Sequence, residues 1–184
     1  VNLYKVDENG NLIKDYAARF QGTRHNGKIN IKNIDVKTVE GVATIDKEVE
    51  IENVNDHYQY QIKETEAPEG YELEQRLLVL NVDFKQEGYK YVIDTEKTTF
   101  NLGHDELSKS DKDGFNGDND ASWFINEETA TINIYLKNQP EIIPEGTFNV
   151  KLYKVDEDGN LIKNYVARFQ GTRHNGKINI KNID

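Results

Sequence analysis

The chain contains no cysteine, no methionine, three prolines and one tryptophan in 184 residues. Lack of cysteine excludes disulfides and thiolate metal sites and leaves the redox compartment open, so any covalent staple must come from other chemistry. No run of apolar residues is long enough to span a bilayer, no apolar signal-peptide core is visible, and 30% of residues are charged. That composition is too polar for a membrane protein. The sequence opens on Val1 rather than methionine, and we expect a mature fragment of something larger, with targeting or anchoring segments outside it. Basic excess is lacking too: the formal net charge is −10, which argues against nucleic-acid binding, since phosphates need clustered Lys and Arg. Acidic residues spread along the chain serve solubility.

What is present is a repeat. Residues 1–35, VNLYKVDENGNLIKDYAARFQGTRHNGKINIKNID, return at 150–184 with only four differences, at the positions of Asn2, Asn9, Asp15 and Ala17. This reads as recent tandem duplication of a domain-sized unit. We therefore expect a first repeat over 1–141, a linker over 142–149 marked by two nearby prolines and a glycine, and over 150–184 the truncated N-terminal part of the next repeat. Because 150–184 matches 1–35, a domain-swapped oligomer through 150–184 is a further expectation.

Nearly every segment alternates with the period of a strand. Alternation is visible in VNLYKV, ARFQGTR, KINIKNI, VATIDKEVEIENV, YQYQIKE, LLVLNVDF, YKYVID and TATINIYLKN. Turn signals such as DENGN, HNG and QEG separate them. No stretch carries a helical period. The expected class is all-β, an antiparallel sandwich or barrel-like domain. Residues 103–122 break the pattern as an acidic, glycine-containing insertion before the last strand. A solvated loop is the reading we prefer; a calcium site on Asp111, Asp113, Asp118 and Asp120 is the lesser alternative, because the spacing departs from the twelve-residue calcium loop.

Three apolar stripes end on a polar residue. Val1 and Leu3 share a strand face with Lys5. Tyr58, Tyr60 and Ile62 share one with Glu64, and Ile132, Ile134 and Leu136 share one with Asn138. Each alone has a bland reading as a snorkelling lysine, a solvated glutamate or a turn-capping asparagine. Together they set an amine, an acid and a carboxamide toward one apolar interior. Burial pushes a lysine pKa down and a carboxylic acid pKa up, so Lys5 would present a neutral amine to the Asn138 side-chain carbonyl while protonated Glu64 polarises it and passes a proton to departing ammonia. Glu66 is the competing acid. Lys63 and Lys137 have the opposite parity and should be solvated, and Pro68 and Gly70 should shape the turn after Glu64.

LYKVDENG in the first strand, YQIKETEAPEGYEL with its Glu-Thr-x-Ala-Pro-x-Gly-Tyr signature, and INIYLKNQP near residue 138 resemble, in this order, the Cna protein B-type (SpaA-like) domain of Gram-positive surface adhesins and pilins. The resemblance implies a transthyretin-like (prealbumin-like) β-sandwich and, in many members, an autocatalytic isopeptide bond joining first and last strands. It puts the reactive lysine at Lys5, the catalytic acid at Glu64 and the acceptor at Asn138. It also implies a structural stalk domain of a cell-wall-anchored protein, extracellular, partnered by neighbouring repeats and needing no cofactor.

Two rival functions follow from other residues. Ten Tyr, seven Phe and Trp123 allow a binding module for a host extracellular-matrix protein or glycan, although aromatics are favoured on sheets for packing alone. An enzyme with turnover is the weakest reading: His25, its copy His174, His57 and His104 show no triad with acid and nucleophile and no clustering at metal spacing.

Overall fold

The computed structural model describes residues 1–27, 31–51, 53, 55–117, 119–142, 151–163, 168, 170–174 and 180–183. The chain divides into two compact units, Val1–Ile142 and Ile143–Asp184. Among the described residues every regular element is a strand.

In the first unit two sheets face each other. One holds β10 (Ala121–Asn126), β11 (Thr131–Lys137), β1 (Asn2–Val6) and β4 (Val42–Thr44), in that order. The other runs β3 (Ile31–Lys37), β2 (Arg19–His25), β5 (His57–Glu66), β6 (Leu78–Glu87), β8 (Thr99–Leu102) and β9 (Asp105–Leu107), with β7 (Lys90–Ile93) also on β6. This is the all-β, prealbumin-like sandwich expected. Among the described residues its pairings are antiparallel except one: β1 and β11 run parallel, with Leu3 opposite Ile134 and Lys5 opposite Leu136. Alternation explains the layers, because one face of each strand is apolar and must meet another apolar face. Leu3, Phe20, Ile62, Leu80, Phe100, Trp123 and Ile134 form the core between them, each at most 3% exposed.

Three departures from the sequence expectation have physical causes. The alternation from Val42 onward predicts one strand to Val54; β4 ends at Thr44, Ile45 exchanges a last pair of backbone bonds with Val1, and Glu52 and Val54 lie outside the described residues. Asp46 takes a left-handed φ of 47°, and its buried carboxylate is held by Arg24 at 2.7 Å and by Lys32. Burial alone would push that carboxyl up; Lys32 and Arg24 overcome it and hold the pKa below its usual range. Val49 and Ile51 still pack on the core, which is why the segment alternates. Secondly, β8, β9 and β10 were not among the segments singled out by alternation. β8 and β9 are short, the left-handed Gly103 turning one into the other, and in β10 the apolar run Trp123-Phe124-Ile125 hides the alternation.

Thirdly, the acidic insertion is not simply a solvated loop. It contains β9, and the stretch after β9 folds onto the outer face of the β1–β11 pair. There Tyr4 and Tyr135 stack at 4.5 Å. Asp113 accepts hydrogen bonds from the Tyr135 hydroxyl at 2.8 Å and from Asn133 Nδ2 at 3.0 Å. Ser122 donates its hydroxyl to the Gly114 carbonyl and accepts the Asn116 amide. Phe115 lies beneath the Lys137 ammonium, 5.9 Å from ring centre to nitrogen, so Lys137 is half-buried rather than solvated. Lys63 is exposed.

In the second unit, β12 (Gly171–His174) and β13 (Ile180–Ile183) pair as a hairpin. Leu152, Tyr153 and Lys154 are exposed, Leu152 by 63%. Most of the linker expected over 142–149, and Val150, lie outside the described residues.

Two substitutions test this packing. A Cβ added at Gly22 would stand 2.0 Å from the Gln61 carbonyl oxygen on the neighbouring strand. Gly22→Ala should therefore lower stability by about 3 kcal/mol or more in urea unfolding, since backbone rather than a pliable side chain must move. Asp113→Ala leaves Asn133 Nδ2 without its carboxylate and should cost about 1–3 kcal/mol, while exposed Asp111→Ala should leave the urea midpoint unchanged. Equal effects of the two aspartate changes would show that the insertion is not anchored by Asp113.

Candidate functional site

Lys5, Glu64 and Asn138 reach the interior from three strands or strand ends. Lys5 faces inward on β1 by the same alternation that buries Leu3. Asn138 follows β11 directly and is tied to β1 through its backbone, its N–H donating to the Val6 carbonyl at 2.9 Å. Its side chain has the parity of Leu136, which sits opposite Lys5. Glu64 comes from β5 on the facing sheet and spans the gap: Lys5 Nζ and Glu64 Oε1 are 3.0 Å apart, with neither side chain accessible to solvent. Lys5, Glu64 and Asn138 are 0%, 4% and 2% exposed.

A bulge sets which of Glu64 and Glu66 faces the interior. Phe20 pairs with Glu64 and Arg19 with Glu66, leaving Thr65 as an extra residue on β5. A bulge re-aims the side chains beyond it. Glu66 is turned to solvent, where Arg19 holds it at 3.0 Å and Lys37 at 3.2 Å. Glu64, before the bulge, stays inside.

The segment after Glu64 closes the site. Pro68 accepts the Tyr71 amide at 3.1 Å around the left-handed Gly70, so the turn falls where proline and glycine imply. The chain then runs beside the residues after β11: the Glu72 amide donates to the Gln139 carbonyl and the Glu141 amide to the Gly70 carbonyl, both at 2.8 Å. This covering segment also orients the two polar side chains. Glu64 Oε2 accepts the Glu74 amide at 2.8 Å, and Asn138 Nδ2 donates to the Glu72 carbonyl at 3.3 Å. Sequence reasoning missed Glu72 and Glu74 because they act here through the backbone, which carries no residue signature. The Glu74 carboxylate is half-buried and paired with Arg76.

Three atoms in the site are buried without a hydrogen-bond partner: Lys5 Nζ, Glu64 Oε1 and Asn138 Oδ1. Lys5 Nζ and Glu64 Oε1 lie at ion-pair distance, and neither they nor the Asn138 oxygen has any hydrogen-bond partner, so the pair is close and incompletely satisfied. Burial lowers the Lys5 pKa from its ordinary value; Glu64, and more weakly Glu74, oppose the shift. The Phe20 ring, 5.7 Å from Nζ, adds a soft contact. The arrangement thus combines an amine depressed toward its neutral, nucleophilic form, a carboxyl group beside it, and a carboxamide whose oxygen is unpaired.

The other candidates lie elsewhere. Asp113 serves Asn133 and Tyr135, and Asp120 meets Arg76 at 2.9 Å and Lys137 at 3.7 Å. Asp111 is exposed, and Asp118 lies outside the described residues. Among the described residues no group of three His, Cys, Asp or Glu is arranged to hold a metal ion. His57 pairs with Asp83 at 3.0 Å and His25 contacts the Thr23 hydroxyl. Trp123 is core, its indole N–H donating to the Leu107 carbonyl at 2.8 Å.

Comparison with known proteins finds a solved structure of the pilus adhesin SpaC from Lactobacillus rhamnosus GG at 18% identity and a TM-score of 0.46, covering 77% of this chain and 14% of that one. A C-terminal fragment of the same adhesin aligns at 20% identity and a TM-score of 0.45, covering 77% of this chain and 45% of the fragment. The chain thus spans less than half the length of either. No curated protein matches. The model of the SpaA prealbumin-like fold domain matches residues 1–99, which include Lys5 and Glu64. The chain belongs to the SpaA family of prealbumin-like fold domains.

Proposed function

We propose that the first unit is a stalk module of a pilus-related protein on the cell wall surface of a Gram-positive bacterium, locked by an intramolecular isopeptide bond between Lys5 and Asn138. The observation that carries this reading is the solvent-free contact of Lys5 with Glu64, 3.0 Å apart, beside an Asn138 carbonyl oxygen that has no partner. A buried, poorly satisfied charge pair is destabilising for a fold unless it serves something. Here the pair is one proton transfer from a neutral amine and a carboxylic acid. Lys5 Nζ attacks Asn138 Cγ, the Nζ–Cγ bond forms and the Cγ–Nδ2 bond breaks. The proton lost by Nζ passes through Glu64 to Nδ2, which leaves as ammonia. One amide replaces another, without oxidant or cofactor and without turnover.

The fold suits that role. β1 and β11 are the first and last strands of the unit and are hydrogen-bonded side by side. A bond between them would close most of the unit into one covalent loop and, by analogy with disulfides, contribute about 5 kcal/mol. Load applied at the two ends would cross from one strand to the other without stretching the rest. We read 1–141 as one repeat, 142–149 as linker and 150–184 as the beginning of the next, giving an array whose neighbours are its own repeats. Among the described residues no helix is long and apolar enough to cross a membrane.

Denaturing intact-mass spectrometry tests the reaction. The chain should weigh one ammonia less than its sequence, with a peptide joining Lys5 to Asn138, and Lys5→Ala and Glu64→Ala should restore the full mass. A full mass in the unaltered chain would overturn the proposal. Energetics give a second test in Asn138→Ala, which cannot react. Removing Glu64 there strands a buried cation and should cost about 3–5 kcal/mol in urea unfolding, whereas replacing both partners together, Lys5→Met with Glu64→Leu, should be neutral or stabilising. The lowered folded-state pKa of Lys5 also means that the unfolded chain binds its proton more tightly. Stability of Asn138→Ala should therefore rise as pH is raised from that lowered value toward the ordinary 10.5, and Lys5→Met should remove the slope.

A further inference from the structure

At the end of the sandwich away from Lys5, the two sheets part around a cavity of about 780 Å³. Its lining includes the apolar side chains of Val1, Ile51, Tyr58, Phe84, Ile93 and Ile132, with polar and charged groups such as Lys85, Glu87 and Glu127 also on it. It lies where β1 begins. Val1 is already in register there, its nitrogen donating to the Ile45 carbonyl at 3.0 Å and its carbonyl accepting the Ile45 amide at 2.8 Å. Both strands flanking β1 stop at this level. The chain leaves the β4 direction at Asp46 and enters β11 after Ala130, each in the left-handed region, at φ 47° and 48°. Asp46, Lys47, Ala130 and Thr131 therefore border an open slot in line with β1, and all four line the cavity.

The repeat shows which sequence leads into this strand. Val150 is the copy of Val1, and Thr147, Phe148 and Asn149 stand before it. A residue two positions ahead of Val1 has the strand parity of Val1, Leu3 and Lys5, whose side chains turn toward the interior. In the repeat that residue is phenylalanine, the one aromatic in the stretch NQPEIIPEGTFN.

We infer that the cavity is the seat of a Thr-Phe-Asn leader that continues β1 upstream. Its phenylalanine inserts between Ile51, Tyr58, Phe84, Ile93 and Ile132 and completes the core of the repeat. The leader is then part of the folded repeat, and a connection between repeats is shorter than its composition suggests. This inference depends on the slot, the cavity and the repeat register alone and stands apart from the crosslink.

The test compares the chain as it stands with two forms extended at Val1, one carrying Glu-Gly-Thr-Phe-Asn and one carrying Glu-Gly-Thr-Ser-Asn. Burying one aromatic side chain should raise the melting temperature of the first unit by roughly 5 °C with the phenylalanine leader, and the serine leader should give little or no rise. Methyl NMR supplies the structural readout: Ile51, Ile93 and Ile132 should show ring-current shifts with phenylalanine and none with serine. Equal melting temperatures for the two leaders, or isoleucine methyls that do not move, would overturn the inference.

Discussion

The contact between Lys5 and Glu64 is the constraint around which the first unit is organised. An ammonium and a carboxylate without solvent access are expensive to bury, and the fold surrounds them on every side. β1 supplies the lysine from one sheet and β5 the glutamate from the other, so the pair bridges the sandwich at its interior. The covering segment from Pro68 to Glu74 then excludes water and gives Glu64 Oε2 a backbone donor. The exclusion of water lowers the Lys5 pKa, against the opposing pull of Glu64. It also leaves three polar atoms unpaired, a concentration of unmet demand that ordinary cores avoid.

The parallel pairing of β1 with β11 sets Lys5 beside the strand that leads into Asn138. Every other pairing among the described strands of the unit is antiparallel, and short turns account for several of them. The parallel pair instead joins strands from opposite ends of the unit. The insertion before β10 reinforces the same pair from outside. Asp113 ties to Asn133 and Tyr135, and Tyr135 stacks on Tyr4 of β1. A segment whose composition suggests a solvated loop thus braces the strands that hold Lys5 and Asn138.

Much of the architecture was legible because strand alternation is local. Inward positions on β1, β5 and β11 follow from counting by two, which is enough to direct Lys5, Glu64 and Asn138 toward the interior. Counting fails where the backbone leaves the regular pleat. At Thr65 a bulge turns Glu66 out to Arg19 and Lys37, although its parity is that of Glu64. At Asp46 a left-handed residue ends a strand whose alternation continues through Val49 and Ile51. β9 is three residues long beside an acidic stretch, and in β10 the apolar run Trp123-Phe124-Ile125 does not alternate, so neither shows the period of two.

The duplicated segment separates local from tertiary determination within one chain. The turn after the first strand is the same in both copies: the Asn11 amide donates to Asp7 Oδ1 and the Asn160 amide to Asp156 Oδ1, each at 2.8 Å. Side chains a few residues apart suffice to specify that turn. Burial is another matter. Leu3 is 0% exposed and its copy Leu152 is 63% exposed; Lys5 is buried against Glu64, and Lys154 faces solvent. The sequence by itself determined strands, turns and the parity of each side chain, because these depend on neighbours along the chain. Whether a lysine becomes a buried amine beside an acid was decided only by tertiary structure, because the groups that exclude water from it come from residues about 60 and 130 positions away.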